Sequence, residues 1–386
     1  MSRQSLDHTI IIPTKDRTQW LEYSLSQYEN FKYNGKIMIV DDSNDSNFEI
    51  NQININNFKN NLNIYHYKGQ LKFNKRHKNV ASAFSTFLKK INTTYYSSSS
   101  DDDIIYTPNL DKCIKFLEQN IDYSAVTAVH YIYDLDENYN FKKLKVFKGN
   151  VCNYNDPLDR LICYANEKGL PHYGVVRTDC RKAMWESEKK LGWPIFSRLN
   201  TEGLESFDEE LSWNAQIYIS GKIGNLNLVQ YFRLNSDNID RLENLSKKNI
   251  YNNYTLGNIG NILDGSMTPS CKETFKEFKE LIKYEKTQYT DNVIDFSLKQ
   301  VIWKLIKNYD GAGLFKEDTL YKKEFLKKTK FKKKICINID YLIIFKFFKI
   351  FKIIYRFLFF KIITFNIVNK FKANHLKYVK KIFLVN

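Results

Sequence analysis

The stretch Ile37-Met38-Ile39-Val40-Asp41-Asp42-Ser43 decides the fold class. Four consecutive apolar residues have the length of a strand buried on both faces, and they pass straight into a turn sequence of two acids and a serine. Upstream, Thr9-Ile10-Ile11-Ile12 is a similar run, ended by Pro13. Between the two runs, Trp20, Leu21, Leu25, Tyr28 and Phe31 recur at helical spacing, with Asp16 and Gln19 placed as an N-cap and its N3 partner. Downstream, residues 62–67 (LNIYHY) predict a third strand. A helix follows with Val80, Ala83, Phe84, Phe87 and Leu88 on one face. A fourth strand near 94–100 ends in Asp101-Asp102-Asp103, Pro108 opens a helix over 109–119, and 123–133 reads as a strand. This alternation predicts an α/β fold, a mostly parallel sheet covered by helices, with ligands binding beyond the carboxyl ends of the strands. Two of the predicted strands end there in acidic clusters, which turns charge runs into a candidate site. Ser97–Ser100 are poor strand formers, so pairing is expected to be weakest at the fourth strand.

Composition narrows the class. Hydrophobic residues make up 43% of the 386, so wholesale disorder is excluded. The net charge of +16 is not spread evenly: residues 322–386 hold 18 Lys and Arg against Glu324 and Asp340, which leaves the first 321 residues neutral. A nucleic-acid-binding domain carries its charge on the folded body, whereas this charge sits on a tail, which points to anionic lipid. The six cysteines (113, 152, 163, 180, 271 and 336) show no CxxC spacing. The polar start, Met-Ser-Arg-Gln-Ser, lacks a signal-peptide core. Together these give the expectation of reduced thiols and a cytoplasmic location, peripheral to the inner face of the cell membrane.

Taken together, TIIIPTKDR at 9–17, IMIVDDSND at 37–45 and TTYYSSSSDDD at 93–103 resemble, in order and spacing, the amino-terminal half of family 2 glycosyltransferases, over roughly residues 7–235. The resemblance implies a GT-A fold and an inverting, metal-dependent transfer from a nucleoside-diphosphate sugar. It places Thr14, Asp16, Arg17, Asp41 and Asp42 around the nucleotide, and Asp101 and Asp103 at ribose and metal-diphosphate, with Mn²⁺ or Mg²⁺ as the metal. The basic stretch Lys75-Arg76-His77-Lys78-Asn79 precedes a predicted helix, where the family places a residue reaching the nucleotide, and Arg76 is the candidate. The Gln-x-x-Arg-Trp motif of processive polymer synthases is missing.

Such a transfer needs a neutralised diphosphate, an oriented nucleoside and a base for the acceptor hydroxyl. Asp101 and Asp103 supply hard oxygen ligands suited to Mg²⁺ or Mn²⁺. A solvated acidic turn would explain the triple Asp by itself, and simple turn chemistry would explain Asp41-Asp42; it is the combination that carries the reading. In the family the base lies in an acidic pair opening a helix about a dozen residues before a Gly. Glu209-Glu210-Leu211 stands at that distance from Gly221, so Glu210 is the first candidate base and Glu209 and Asp208 the alternatives. First-turn acids also complement a helix dipole, which accounts for some of them. Tyr173–Arg177 resembles the acceptor-side strand, and Trp185 and Trp193 could stack on a sugar or simply be buried.

The sequence divides into 1–235 as the catalytic domain, 236–330 as a helical accessory region and 331–386 as a basic amphipathic tail. In the tail, Lys346, Lys349, Lys352, Arg356 and Lys361 fall on about half the circumference of a helix rich in Ile, Phe and Leu, which suits the membrane interface rather than a span. The implied partners are a nucleoside-diphosphate sugar, a glycan or lipid-linked acceptor in surface polysaccharide or glycoconjugate synthesis, and an anionic membrane surface, with no nucleic acid. The competing reading is a non-catalytic nucleotide-sugar-binding or scaffold protein at the membrane. A sugar nucleotidyltransferase would show a Gly-rich loop after the first strand, and Pro13–Arg17 has no Gly.

Overall fold

The structure, a computed structural model, describes residues 5–69, 90–135, 141–167, 169–180, 214–236, 269–298 and 301. The predicted helix over 80–88, the stretch 75–79 with Arg76, the acidic run with Asp208, Glu209 and Glu210, Trp185, Trp193 and the tail lie outside the described residues. Everything described belongs to one compact unit, which extends from Met1 to Tyr309.

The chain opens with β1 (His8–Thr14), α1 (Thr18–Asn30), β2 (Lys36–Asp41), α2 (Asp45–Phe58) and β3 (Asn63–Lys68). β1 pairs in parallel with β2 on one side and with β4 (Tyr95–Ser98) on the other, and β3 extends the sheet beyond β2. This half matches the expected parallel sheet. β1 runs one residue past Pro13 because that proline costs no hydrogen bond. Ile11 faces β4, accepting from Ser99 N, so Pro13 faces the same side, beyond the last β4 pairing.

In the other half antiparallel pairs join the parallel ones. β5 (Ile104–Ile105) is followed by α3 (Leu110–Gln119), β6 (Tyr123–Leu135), β7 (Phe141–Lys148), α4 (Pro157–Glu167), β8 (Val175–Arg177) and β9 (Lys222–Ser236). The strands lie in the order β3-β2-β1-β4-β8-β6-β9-β5, with β7 against β6. β8 is inserted antiparallel between β4 and β6, and β6–β7 and β5–β9 are also antiparallel, while β6–β9 is parallel. The fold is therefore mixed α/β.

Two local expectations are corrected. α2 was not expected: DSNFEINQININNF is rich in Asn, a weak helix former, and buries only Asn51 and Ile55. It is started by its cap, with Asn44 accepting from Asn47 N at 3.0 Å. α1 has Arg17 at its N-cap without a side-chain cap bond, so Asp16 is not the cap.

Ser97 and Ser98 of β4, and Ser99 just after it, use their hydroxyls in the interior. Ser97 bonds His8, Ser98 donates to the His172 carbonyl and Ser99 to the Asp103 carbonyl. His8 is fully buried. Tyr33 gives its proton to the His8 carbonyl (2.9 Å), so His8 Nδ1 donates to the Tyr33 oxygen and Nε2 accepts from Ser97 (both 2.9 Å). Gly35 closes over this cluster, and a Cβ there would lie 2.3 Å from the Tyr33 hydroxyl and 2.6 Å from the His8 carbonyl.

α5 (Pro269–Tyr284) and the helical residues 291–298 share the main core. Phe278, Leu281, Ile282, Ile294 and Leu298 are buried in one cluster with Ile11, Tyr96, Leu161 and Tyr164. These described residues of the segment expected as an accessory region thus pack into the main core. Arg160 of α4 closes the end of helical residues 214–220, donating to the carbonyls of Tyr218 (2.8 Å) and Ile219 (2.5 Å).

Burial, against a small opposing pull from Asp7, lowers His8 to about 3. The unfolded chain takes up that proton near 6.5, so between about 6.5 and 3 stability falls as pH falls. His8→Gln should reduce the slope of unfolding free energy against pH in that window by up to ~1.4 kcal/mol per pH unit, whatever its absolute stability. Denaturant titrations at several pH values measure it; parallel slopes for wild type and variant would contradict the neutral, buried assignment.

Candidate active site

The site lies where β1, β2 and β4 end side by side. Parallel registry sets Thr14 beside Asp41 and Ile11 beside Ser98, so the three following loops leave the sheet together at its carboxyl edge. Thr14, Asp16, Arg17, Asp41, Asp42, Asp101 and Asp103 all lie at this edge, though they do different work.

Asp16 is left-handed, with φ 55°, a conformation that Asp tolerates better than most residues. Its amide donates to Ser43 Oγ (2.7 Å) and its Oδ1 accepts from Asn44 N (2.9 Å), Asn44 Nδ2 (2.7 Å) and Asn47 Nδ2 (3.0 Å). The bonds from Asn47 and Asn44 hold its carboxyl below the usual range. Asp16 is thus a clasp between the loops after β1 and β2.

Asp41 is fully buried. It accepts from Ser43 N (2.9 Å), from Asn51 Nδ2 (2.8 Å) and, at the same Oδ2, lies 3.0 Å from His66 Nε2. Burial alone would raise its pKa, but the bonds from His66, Ser43 and Asn51 outweigh it and hold the carboxyl down. Asp41 is a brace joining β2, α2 and β3. Asp42 is the acid of this pair with capacity to spare. Its Oδ2 is buried without a hydrogen-bond partner, with Lys15 Nζ 3.7 Å away, and burial pushes its pKa up. Gly69 lets the end of β3 approach it, since a Cβ there would sit 3.0 Å from Asp42 Oδ1.

The acid cluster is held from two sides. Thr14 Oγ1 donates to Asp101 Oδ2 (2.7 Å), and Arg17 spans two carboxylates, Nη1 to Asp101 Oδ1 and Nη2 to Asp102 Oδ2 (both 2.7 Å). Asp103 is held from β9, accepting from Tyr231 Oη (2.7 Å) and Leu234 N (3.1 Å). Tyr231 is itself packed by the rings of Tyr173 and His130, with centroids 4.7 and 5.2 Å away. Burial, with Asp102 adjacent, pushes the Asp101 carboxyl up to about 7 against the pull of Arg17 and Thr14. Burial and Asp102 raise Asp103 to about 7 likewise. Burial works against the Arg17 charge too, but Asp101 and Asp102 prevail and raise its pKa.

These acids suit a divalent cation in chemistry and in charge. They are hard oxygen ligands, and three carboxylates outnumber the two guanidiniums that act on them, Arg17 on Asp101 and Asp102 and Arg233 on Asp103, which leaves a surplus of negative charge. They are not a ready-made cage: among the described residues no group of three or more His, Cys, Asp or Glu could hold a metal ion. That pattern fits a cation taking one or two carboxylates here and its remaining ligands from water or a bound anion. A cleft of about 510 Å³ lined by Asp7, Lys32, Tyr33, Asp111 and Glu118 lies elsewhere, at the start of β1.

Sequence reasoning missed Tyr231, Asn51, His66 and Ser24, which donates to the Asp101 carbonyl (2.5 Å). Asn51 lies on the unrecognised α2, and Tyr231 is 128 residues from its partner, so no local pattern announces either.

No protein-family model and no curated protein matches the sequence. Among solved structures the chain is similar to residues 1–349 of TarS from S. aureus, at 15% identity over 82% of this chain and 77% of that one, with a TM-score of 0.46. The same TarS fragment in complex with UDP-GlcNAc matches at 15% identity over 82% and 78%, TM-score 0.45. The mannosyltransferase PcManGT from Pyrobaculum calidifontis, in complex with GDP-Man and Mn²⁺, matches at 12% identity over 84% and 80%, TM-score 0.39. All three scores lie below 0.5, and the chemistry of the site rests on this chain's own residues.

Because Asp101 and Asp103 bind protons more tightly folded than unfolded, they lower stability as pH rises from about 4 to about 7. Asp103→Asn keeps an acceptor for Leu234 N and removes one of these charges. In metal-free buffer, its stability relative to wild type should therefore improve as pH rises through that window. Chemical denaturation at pH 5 and pH 7.5 tests this; a relative stability independent of pH would contradict the charge surplus.

Proposed function

We propose that the protein is a metal-dependent, inverting glycosyltransferase with a GT-A-type catalytic domain, moving a sugar from a nucleoside-diphosphate sugar to a hydroxyl of a glycan or lipid-linked acceptor. The observation that carries this reading is the convergence, at one carboxyl edge of a parallel sheet, of Thr14, Arg17 and Asp101–Asp103 beside Asp42. The order and spacing of the three motifs that resemble family 2 glycosyltransferases support it.

In this reading Asp42, whose buried oxygen lacks a hydrogen-bond donor, orients the nucleoside. Asp41 and Asp16 keep the two loops in the shape that presents it. Asp101 and Asp103 hold the cation, with Asp102 beside them. When bound, Mn²⁺ or Mg²⁺ would neutralise the charge that develops on the departing diphosphate. Tyr231 and Leu234 fix the Asp103 carboxylate from β9, and Thr14 fixes Asp101. The acceptor hydroxyl loses its proton to a carboxylate of the 208–210 run, with Glu210 as the base and Glu209 and Asp208 as alternatives. The basic, aromatic tail keeps the enzyme on an anionic membrane surface, on the cytoplasmic side.

The reading is tested by screening nucleoside-diphosphate sugars and UDP, GDP and other nucleotides, with and without Mn²⁺, for thermal stabilisation and for hydrolysis or transfer. One nucleotide class should bind, and more tightly with Mn²⁺. Glu210→Gln should lower transfer by ~10²–10⁴-fold with nucleotide binding little changed. Binding without any turnover would favour the scaffold alternative, and no nucleotide binding would overturn both. For the tail, the full chain should co-sediment with anionic vesicles, less as salt rises, and truncation after Asp318 should abolish this while leaving a folded protein. A truncated chain that binds vesicles as well as the full chain would remove the tail from the account.

A further inference from the structure

We propose that Arg17 is an internal counter-ion of the acid cluster, which a divalent cation held by Asp101 and Asp103 must displace from Asp101 before the site can be loaded. The inference rests on the nucleotide-sugar reading above and goes beyond it to the order in which the site fills.

The guanidinium bridges two carboxylates of neighbouring residues, with one charge-assisted bond of 2.7 Å to each. The Arg17 side chain is 34% exposed, whereas those of Asp101 and Asp102 are 4% and 11% exposed. Of the three side chains, Arg17 is therefore the one most open to solvent. Two positive groups on the same carboxylates repel, so loading one expels the other.

The surrounding structure allows this exchange. Asp16 ties the loop to Ser43, Asn44 and Asn47 independently of the Arg17 side chain. Thr14 keeps its own bond to Asp101 Oδ2, while Arg17 uses Oδ1. Release of the guanidinium thus needs side-chain rotation only, with loop and carboxylate held in place. A freed guanidinium offers five donors beside the cluster and suits phosphate oxygens bidentately. The same residue then opposes the bare cation and favours the cation-diphosphate pair, so cation and nucleotide load together rather than cation alone.

The experiment measures Mn²⁺ binding to the full chain without nucleotide, by electron paramagnetic resonance of free Mn²⁺. Arg17→Gln should bind Mn²⁺ more tightly than wild type, on the order of tenfold. Arg17→Lys, which keeps the charge, should bind no more tightly than wild type. With Mn²⁺ present, Arg17→Gln should lose affinity for UDP or GDP, whichever wild type prefers. If Arg17→Gln binds Mn²⁺ no better than wild type, or neither binds it, the counter-ion role is overturned. Nucleotide binding by wild type tests the underlying reading separately. A second measurement needs no variant: in wild type, Mn²⁺ should accelerate labelling of Arg17 by an arginine-specific dicarbonyl, read by peptide mass. A labelling rate unchanged by Mn²⁺ would also overturn the proposal.

Discussion

β1 lies between β2 and β4 and pairs with both in parallel. That constraint sets the geometry of the whole site. Parallel pairing sends all three strands out of the same edge, and the register brings Thr14 beside Asp41 and Ile11 beside Ser98. Three loops far apart in sequence must then share one small volume. The hydrogen bonds between them, Thr14 to Asp101, Arg17 to Asp101 and Asp102, and Asp16 to Asn44 and Asn47, are local consequences of that registry. These strands lie in the core, where Ile10, Ile11, Ile12, Ile37 and Ile39 are not measurably exposed. A slip of one residue would turn these side chains to the opposite faces and separate the loops.

The same edge concentrates negative charge in the interior, which runs against stability. Asp41 and Asp101–Asp103 are all nearly inaccessible to water. For Asp41 the fold supplies enough donors to keep it ionised, so it behaves as structure. For Asp101 and Asp103 it does not, and their carboxyls rise to about 7. A group of buried acids left short of compensation, in a cluster braced from β1 and β9, is a usual mark of a functional site. The β9 brace also ties that cluster to the antiparallel half of the sheet, through Tyr231 and its ring contacts with Tyr173 and His130.

Much of the parallel half was legible in the sequence, because Ile10–Ile12 and Ile37–Val40 are short apolar runs ending in turn residues. Leu62–Tyr67 and the face of α1 were legible for similar reasons. α2 was not, because its Asn-rich sequence has neither propensity nor an apolar stripe, and it forms around the Asn44 cap and the buried Asn51 bond to Asp41. The place of β8 between β4 and β6 was not legible either, since antiparallel insertion is a long-range pairing that strand patterns do not encode. For the site, the acids could be found from their position after strands, but not their roles. Asp16 looks like a helix cap and serves as a clasp. Asp41 and Asp42 look equivalent, yet their donors make one a brace and leave the other available. Arg17 lies 84 residues from Asp101, and only the folded register shows that they meet.

The most direct test of the account is hydrogen–deuterium exchange of the full chain with UDP or GDP, in Mn²⁺ and in chelator. If the carboxyl edge of β1, β2 and β4 receives the nucleotide, the preferred nucleotide with Mn²⁺ should slow exchange in peptides covering residues 14–20, 41–47 and 99–106. It should leave α3 and β7 unchanged. Slowed exchange confined to other parts of the chain, or none at saturating nucleotide, would contradict the account.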